Sequence, residues 1–240
     1  MISQEDAGHA RSLVIYEDAH VLVFNKPAGL AVQGGSGVTR SLQDLLGAFA
    51  KSNGKRPRLV HRLDRDTTGI IIAARTKPAA AFLSAAFAGR DVSKTYLAIV
   101  CGGAPEPGEG AIDLPLKKSS RKGLDIMEIA RPGEAGAQAA LTRYRTLAAT
   151  GAAALVELEP ETGRMHQLRA HLGAIGRPIG GDAKYGGLLD LAGVSVPRLM
   201  LHAAALDVPL PEGGRRRFEA ALPDDFAGIL KSLQLESAPG

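Results

Sequence analysis

Val60-His61-Arg62-Leu63-Asp64-Arg65-Asp66-Thr67-Thr68-Gly69-Ile70-Ile71-Ile72 sets an acid among bases at the mouth of an apolar run. Asp64 stands beside three basic side chains, His61, Arg62 and Arg65. Two threonines and a glycine follow, then β-branched residues, the composition of a loop that opens into a buried strand. A cationic wall beside a carboxylate suits a polyanionic substrate and an acid that must stay ionised. A surface ion-pair cluster at a turn has the same composition, and charge alone does not separate the two.

Outward from that loop, the pattern predicts a strand over 70–74 and an alanine-rich helix over 77–87, with Pro78 in its first turn. Upstream, 13–16 and 21–25 read as a hairpin, and Lys26-Pro27-Ala28-Gly29 as a tight turn. Ser41 caps a helix with Asp44 as its capping-box partner, and Leu42, Leu45, Leu46 and Phe49 give the apolar stripe. Downstream, strands are predicted over 94–100, 141–147, 155–159, 199–201 and 206–210, and a weak one over 218–222. A helix carries Leu168, Leu172 and Ile175 and ends at Gly176, and a closing helix covers 226–233. Residues 102–110 read as a Pro/Gly-rich connection and 117–136 as a long polar one. Strands and helices mix without a βαβ rhythm, so the expected class is α+β: a mixed, mainly antiparallel central sheet with flanking helices and loops. Residues 1–12 read as a polar tail and 13–235 as one domain.

A chain of 240 residues with 45% hydrophobic and only 4% aromatic residues builds its core from aliphatic side chains. The single cysteine, Cys101, follows an apolar run and is expected to be buried; one cysteine excludes an intrachain disulfide and a multi-cysteine zinc site. No apolar run reaches membrane-spanning length, and residues 1–10 lack the apolar region of a signal peptide. A soluble, cytoplasmic monomer is the expectation.

The net charge of +4 is modest, but its distribution is uneven. Four basic clusters stand out: Lys51, Lys55, Arg56 and Arg58, running on into Arg62 and Arg65; Lys117, Lys118, Arg121 and Lys122; Arg164, Arg169 and Arg177; and Arg215, Arg216 and Arg217. Taken singly each is ordinary solvated surface. Together, with one around a candidate catalytic acid, they favour a phosphate-backbone partner. His61, His166 and His171 lack the spacing and partners of a metal site, and helix capping or RNA contact is the expected role. Asp64 and Asp66 stand side by side rather than flanking a bond, which disfavours a glycosidase pair.

The His61-Arg62-Leu63-Asp64 run, with the Thr68-Gly69 turn after it, resembles the catalytic motif of the RluA-type pseudouridine synthases. Further segments are similar in the same order: Asn25-Lys26-Pro27-Ala28-Gly29-Leu30, Lys94-Thr95-Tyr96, Gly163-Arg164-Met165-His166-Gln167-Leu168-Arg169-Ala170-His171, Gly181-Asp182-Ala183-Lys184-Tyr185-Gly186 and Leu201-His202-Ala203. The resemblance covers 12–210. It implies an enzyme that detaches uracil from its ribose, turns it, and rejoins it through carbon 5. That isomerisation needs no redox cofactor and no metal.

The resemblance assigns the catalytic carboxylate to Asp64, its ion-pair partner to Arg169 and the active-site tyrosine to Tyr96. Tyr96 would stack on the uracil and help with the carbon-5 proton. Arg62 would hold the flipped nucleotide, with His61, Arg65, Lys94, Arg164 and His166 completing the substrate contacts. Asp64 adding to the base, attacking the sugar, or taking a sugar proton all remain open. Many relatives carry a small RNA-binding domain before the catalytic one; only residues 1–12 precede the first predicted strand here, so a minimal or excised enzyme is expected. Ribosomal RNA is the default substrate and tRNA the alternative. An RNA-binding factor without turnover, and a nucleoside hydrolase, are the competing classes.

Overall fold

Strands dominate the computed structural model, which describes residues 2–35, 37–121, 124–131 and 133–236. In chain order the elements are α1 (Gln4–Ser12), β1 (Val14–Glu17), β2 (Val21–Lys26), α2 (Leu42–Leu45) continued by a 3-10 turn (Leu46–Phe49), β3 (Arg58–Leu59), β4 (Thr68–Ala74), α3 (Lys77–Ala88), β5 (Ser93–Cys101), β6 (Glu109–Asp113), β7 (Leu116–Arg121), β8 (Leu124–Ile129), β9 (Leu141–Ala149), β10 (Ala153–Pro160), α4 (Gln167–Ala174), β11 (Asp190–Leu191), β12 (Val194–Ser195), β13 (Leu201–Pro209), β14 (Arg215–Glu219) and α5 (Asp224–Ser232). The chain forms two compact units, Met1–Lys94 with Ala203–Ala221, and Thr95–His202 with Leu222–Gly240.

In the first unit β2 pairs antiparallel with both β1 and β4, β3 adds to β4, and β14 pairs antiparallel with β13. Every residue of β4 is buried, because helical segments cover both faces of these strands. On one face Ala79, Leu83 and Ala86 of α3 join Val21, Val23, Ile70 and Ile72. On the other Phe24 meets Phe49 of the 3-10 turn edge-on at 5.7 Å. Each such buried Leu, Ile or Phe contributes about 1.5–3 kcal/mol. Gly69 shows why a glycine opens β4: its φ is +107°, and a Cβ there would lie 2.1 Å from the Ala203 carbonyl oxygen.

In the second unit β5, β10, β9 and β6 pair antiparallel in that order. Leu168 and Leu172 of α4, and Phe226, Ile229 and Leu230 of α5, pack into the core with Ile99, Val156 and Leu158. Cys101 is buried as expected, and burial raises its thiol pKa. The α+β class with antiparallel pairing is as anticipated, and so is the Ser41–Asp44 capping box.

The differences are instructive. Residues 117–136 are not a connection: β7 and β8 form a separate two-stranded antiparallel ribbon, with Ile126 and Met127 buried. Its charged alternation concealed a strand pair that is fixed from outside, by packing of Met127 with Ala170 of α4. Residues 109–113 form an edge strand, β6, on β9. The two strands expected at 199–201 and 206–210 are one, β13, and the last strand lies three residues earlier than its apolar residues indicated. Residues 4–12 are helical, capped by the Ser3 side chain accepting from the Asp6 N–H. Lys122, in the second basic cluster, lies outside the described residues.

Candidate active site

The Asp64 loop is held by two reciprocal clamps inside the first unit. Lys26 is fully buried, and its ammonium donates to the carbonyls of Pro27 (2.8 Å), Leu30 (2.9 Å) and Arg65 (2.9 Å). Arg65 answers by donating from Nε to the Gly29 carbonyl at 3.0 Å. The Lys26-Pro27-Ala28-Gly29 turn and the 61–65 loop are thus tied together, with Gly29 in the left-handed region at φ +78°. Leu63 is buried and anchors the loop from below, which leaves Asp64 half-buried and Arg62 exposed. The Thr67 N–H closes the turn onto the Asp64 carbonyl at 3.3 Å.

His61 braces the same loop against β4. Its Nε2 accepts the Ile72 N–H at 3.0 Å, and its ring stacks on Phe87 of α3 with centroids 4.4 Å apart. Burial, helped by the charge of Lys94, lowers its pKa to about 3, so the ring is neutral and acts as an acceptor. Lys94 is half-buried, and burial lowers its pKa too.

The second unit carries Tyr96, Arg164, His166 and Arg169. Tyr96 sits half-buried on β5 opposite Leu158 of β10. Gln167 organises the entry to α4. Its Oε1 accepts from the Thr162 hydroxyl (2.7 Å) and the Arg164 N–H (3.1 Å), and its Nε2 donates to the Leu141 carbonyl and the Thr142 hydroxyl, both at 3.0 Å. His166 takes the left-handed conformation at φ 50° just before the helix, and Nδ1 meets the Tyr185 hydroxyl at 3.0 Å. Arg164 donates from Nε to the Ala139 carbonyl at 3.2 Å.

Arg169 lies buried on α4 and makes a bidentate pair with Asp182, Nε to Oδ2 at 2.7 Å and Nη2 to Oδ1 at 2.8 Å. Its guanidinium also sits 5.1 Å from the centre of the Tyr185 ring. Tyr185 in turn accepts the Met127 N–H, linking the β7–β8 ribbon to this cluster. Asp182 and Tyr185 are the residues that sequence reasoning left without roles; their Gly-Asp-Ala-Lys-Tyr-Gly segment was the available signal. The structure also corrects His171, for which helix capping or RNA contact was expected. It is fully buried, with Nε2 donating to the Leu114 carbonyl and Nδ1 accepting from the Thr142 hydroxyl, each at 2.9 Å.

An acid on a braced loop, and a buried arginine fixed in a planar fork, are parts for positioning charge rather than for redox chemistry. Residues 20–174 match the family model described as RNA pseudouridylate synthase, well over half of the chain. This chain belongs to that family. It is 37% identical to a mitochondrial pseudouridylate synthase of Xenopus tropicalis, RPUSD4, over 94% of this chain and 81% of that one. It is 35% identical to a ribosomal large subunit pseudouridine synthase D of Zymomonas mobilis, over 93% of this chain and 73% of the relative. The solved structure of human RNA pseudouridylate synthase domain containing 4 aligns with a TM-score of 0.81 at 32% identity, covering 97% of this chain and 98% of that chain. As an RNA pseudouridine synthase, the protein is an isomerase that converts uridine to pseudouridine in RNA.

Proposed function

We propose that Asp64 is the catalytic carboxylate and that the substrate is large-subunit ribosomal RNA, 23S RNA in a bacterial setting. The carrying observation is the placement of Asp64: half-buried, in the family's motif position, on a loop clamped by Lys26 and Arg65. A carboxylate attacking a sugar or base gains most from a loop that holds it still. Arg169, fixed by Asp182, is the counter-charge that the family's pattern assigns to the catalytic carboxylate. Tyr96 stacks on the detached uracil and assists removal of the carbon-5 proton. Arg62, exposed on the loop, contacts the RNA and helps hold the flipped nucleotide, whose unstacking costs a few kcal/mol. His61, Arg65, Lys94, Arg164 and His166 complete the surroundings of the bound RNA. The ribosomal target rests on relatives whose names carry it, and the cytoplasm of a bacterial cell is the matching compartment.

The test is tritium release from RNA labelled at uridine carbon 5, with ribosomal RNA and tRNA offered separately. Wild type releases tritium from ribosomal RNA. Asp64→Asn lowers release by at least about 10³-fold and leaves RNA affinity largely intact. Undiminished release by Asp64→Asn would sink the assignment, and release from tRNA alone would move the substrate.

A further inference from the structure

Among the described residues, three of the four basic clusters meet partners within the protein. Lys117 pairs with Glu134 at 2.6 Å and Lys118 with Asp125 at 2.8 Å. Arg169 holds Asp182, while Arg177 donates from Nε to the Ala104 carbonyl at 2.8 Å. Arg215 pairs with Asp91 and Asp207, Arg217 with Glu219, and Arg216 lies 4.2 Å over the Tyr16 ring. The first cluster differs. Among the described residues Lys51, Lys55, Arg56, Arg58 and Lys77 make no ion pair, and they line one cavity of about 360 Å³ that no carboxylate faces.

The walls of this cavity are tied by backbone hydrogen bonds. The Lys51–Lys55 turn closes on itself, with the Lys51 N–H donating to the Lys55 carbonyl at 2.9 Å and the Gly54 N–H to the Lys51 carbonyl at 2.8 Å. Arg58 lies on β3 opposite Ala74 of β4, and the chain then turns through Arg75 and Thr76 into α3. Arg75 is itself neutralised by Glu17, so it serves as wall rather than as spare charge. The Thr76 hydroxyl caps the Ala79 N–H, and Pro78 has no N–H, so the side chains supply the donors while the helix dipole adds to the positive potential.

We infer that this cavity is a second RNA site, which grips consecutive phosphodiesters outside the nucleotide being isomerised. Five unpaired cations exceed the charge of about −2 on one phosphate monoester, whereas a run of backbone phosphates matches them. Cations held this close repel one another, and a polyanion relieves that repulsion. The inference rests on the RNA substrate of the family; no residue of the cavity belongs to the 61–65 loop.

The experiment measures RNA affinity against salt in parallel with tritium release, for wild type, Lys55→Gln, Lys55→Gln/Arg58→Gln and Lys231→Gln, an exposed charge on α5. All these side chains are exposed, so the variants fold. Each cavity substitution lowers the slope of log affinity against log salt by about 1, and Lys231→Gln leaves it as in wild type. Between 50 and 200 mM salt the double variant then loses roughly tenfold less affinity than wild type. Its KM for RNA rises at low salt. Unchanged slope and affinity in the double variant, with release intact, overturn the site while the enzyme stands. Altered binding without tritium release in any protein supports the site and counts against the activity. Inorganic phosphate protecting Lys51, Lys55 and Lys77 from acylation, with RNA affinity unmoved by the double variant, would make this a free-phosphate site and overturn the inference.

Discussion

Asp182 has no polar solvent to fall back on: it is 1% exposed and both its oxygens face Arg169. A buried carboxylate of this kind depends on its partners: besides Arg169, the Lys184 N–H donates to it, at 3.2 Å, and the arginine and the acid hold each other in one geometry. Asp182→Asn keeps the shape and removes the charge. It is expected to lower kcat by on the order of 10- to 100-fold through misplacement of Arg169, with Kd for RNA little changed. Single-turnover tritium release beside a binding titration checks this; a loss in Kd alone would remove Asp182 from a positioning role. Sequence reading reached Asp64 because an acid among bases is conspicuous within five residues. It did not reach the Asp182 pairing, because 13 residues and a turn separate the partners and no local spacing connects them.

At the level of elements, the Lys-Pro-x-Gly turn after β2 and the loop before β4 form one unit through Lys26. Its fully buried ammonium donates to three backbone carbonyls, those of Pro27, Leu30 and Arg65. Lys26→Met should destabilise the protein by about 3 kcal/mol and slow turnover, because the loop bearing Asp64 loses its tie through the Arg65 carbonyl. Chemical denaturation and tritium release on the same preparation check both parts; unaltered turnover in a destabilised variant would show the loop held by other means. Hairpin β1–β2, helix α3 and helix α4 were legible from periodicity and caps. The ribbon β7–β8 was not, because its apolar residues face a helix some 40 positions away rather than an alternating core of their own.

Across the whole molecule, two histidines, the half-buried His61 and the buried His171, couple stability to pH. Burial lowers the pKa of both: that of His61 to about 3, and that of His171 despite the opposing Leu114 carbonyl and Asp113 charge. A ring that stays neutral when folded but takes a proton near 6.5 when unfolded contributes stability fully above that pH. The contribution falls as pH drops from 6.5 toward the folded value. The unfolding free energy measured from pH 7.5 to 5 should therefore decline, with His61 contributing up to about 1.4 kcal/mol per pH unit below pH 6 and His171 adding in the same direction. His61→Leu should flatten that slope, and an equally steep slope in the variant would place the titration elsewhere. The same scale decides which charges are available. The basic clusters look alike as sequence, yet folding brings Glu134, Asp125, Asp91, Asp207 and Glu219 to two of them and leaves the Lys51–Arg58 group without an acid.

The sequence by itself determined the α+β class, the Ser41–Asp44 capping box, the burial of β4, the ordered family motifs and the loop that bears Asp64. These depend on hydrophobic period, turn residues and short-range charge, all of which are local. Only the tertiary structure decided that Asp182 fixes Arg169, that His61 and His171 are neutral bracing groups, that β7–β8 is a ribbon, and which lysines and arginines remain unpaired. Those properties depend on groups that are far apart along the chain and meet only after folding, where burial sets what each interaction is worth.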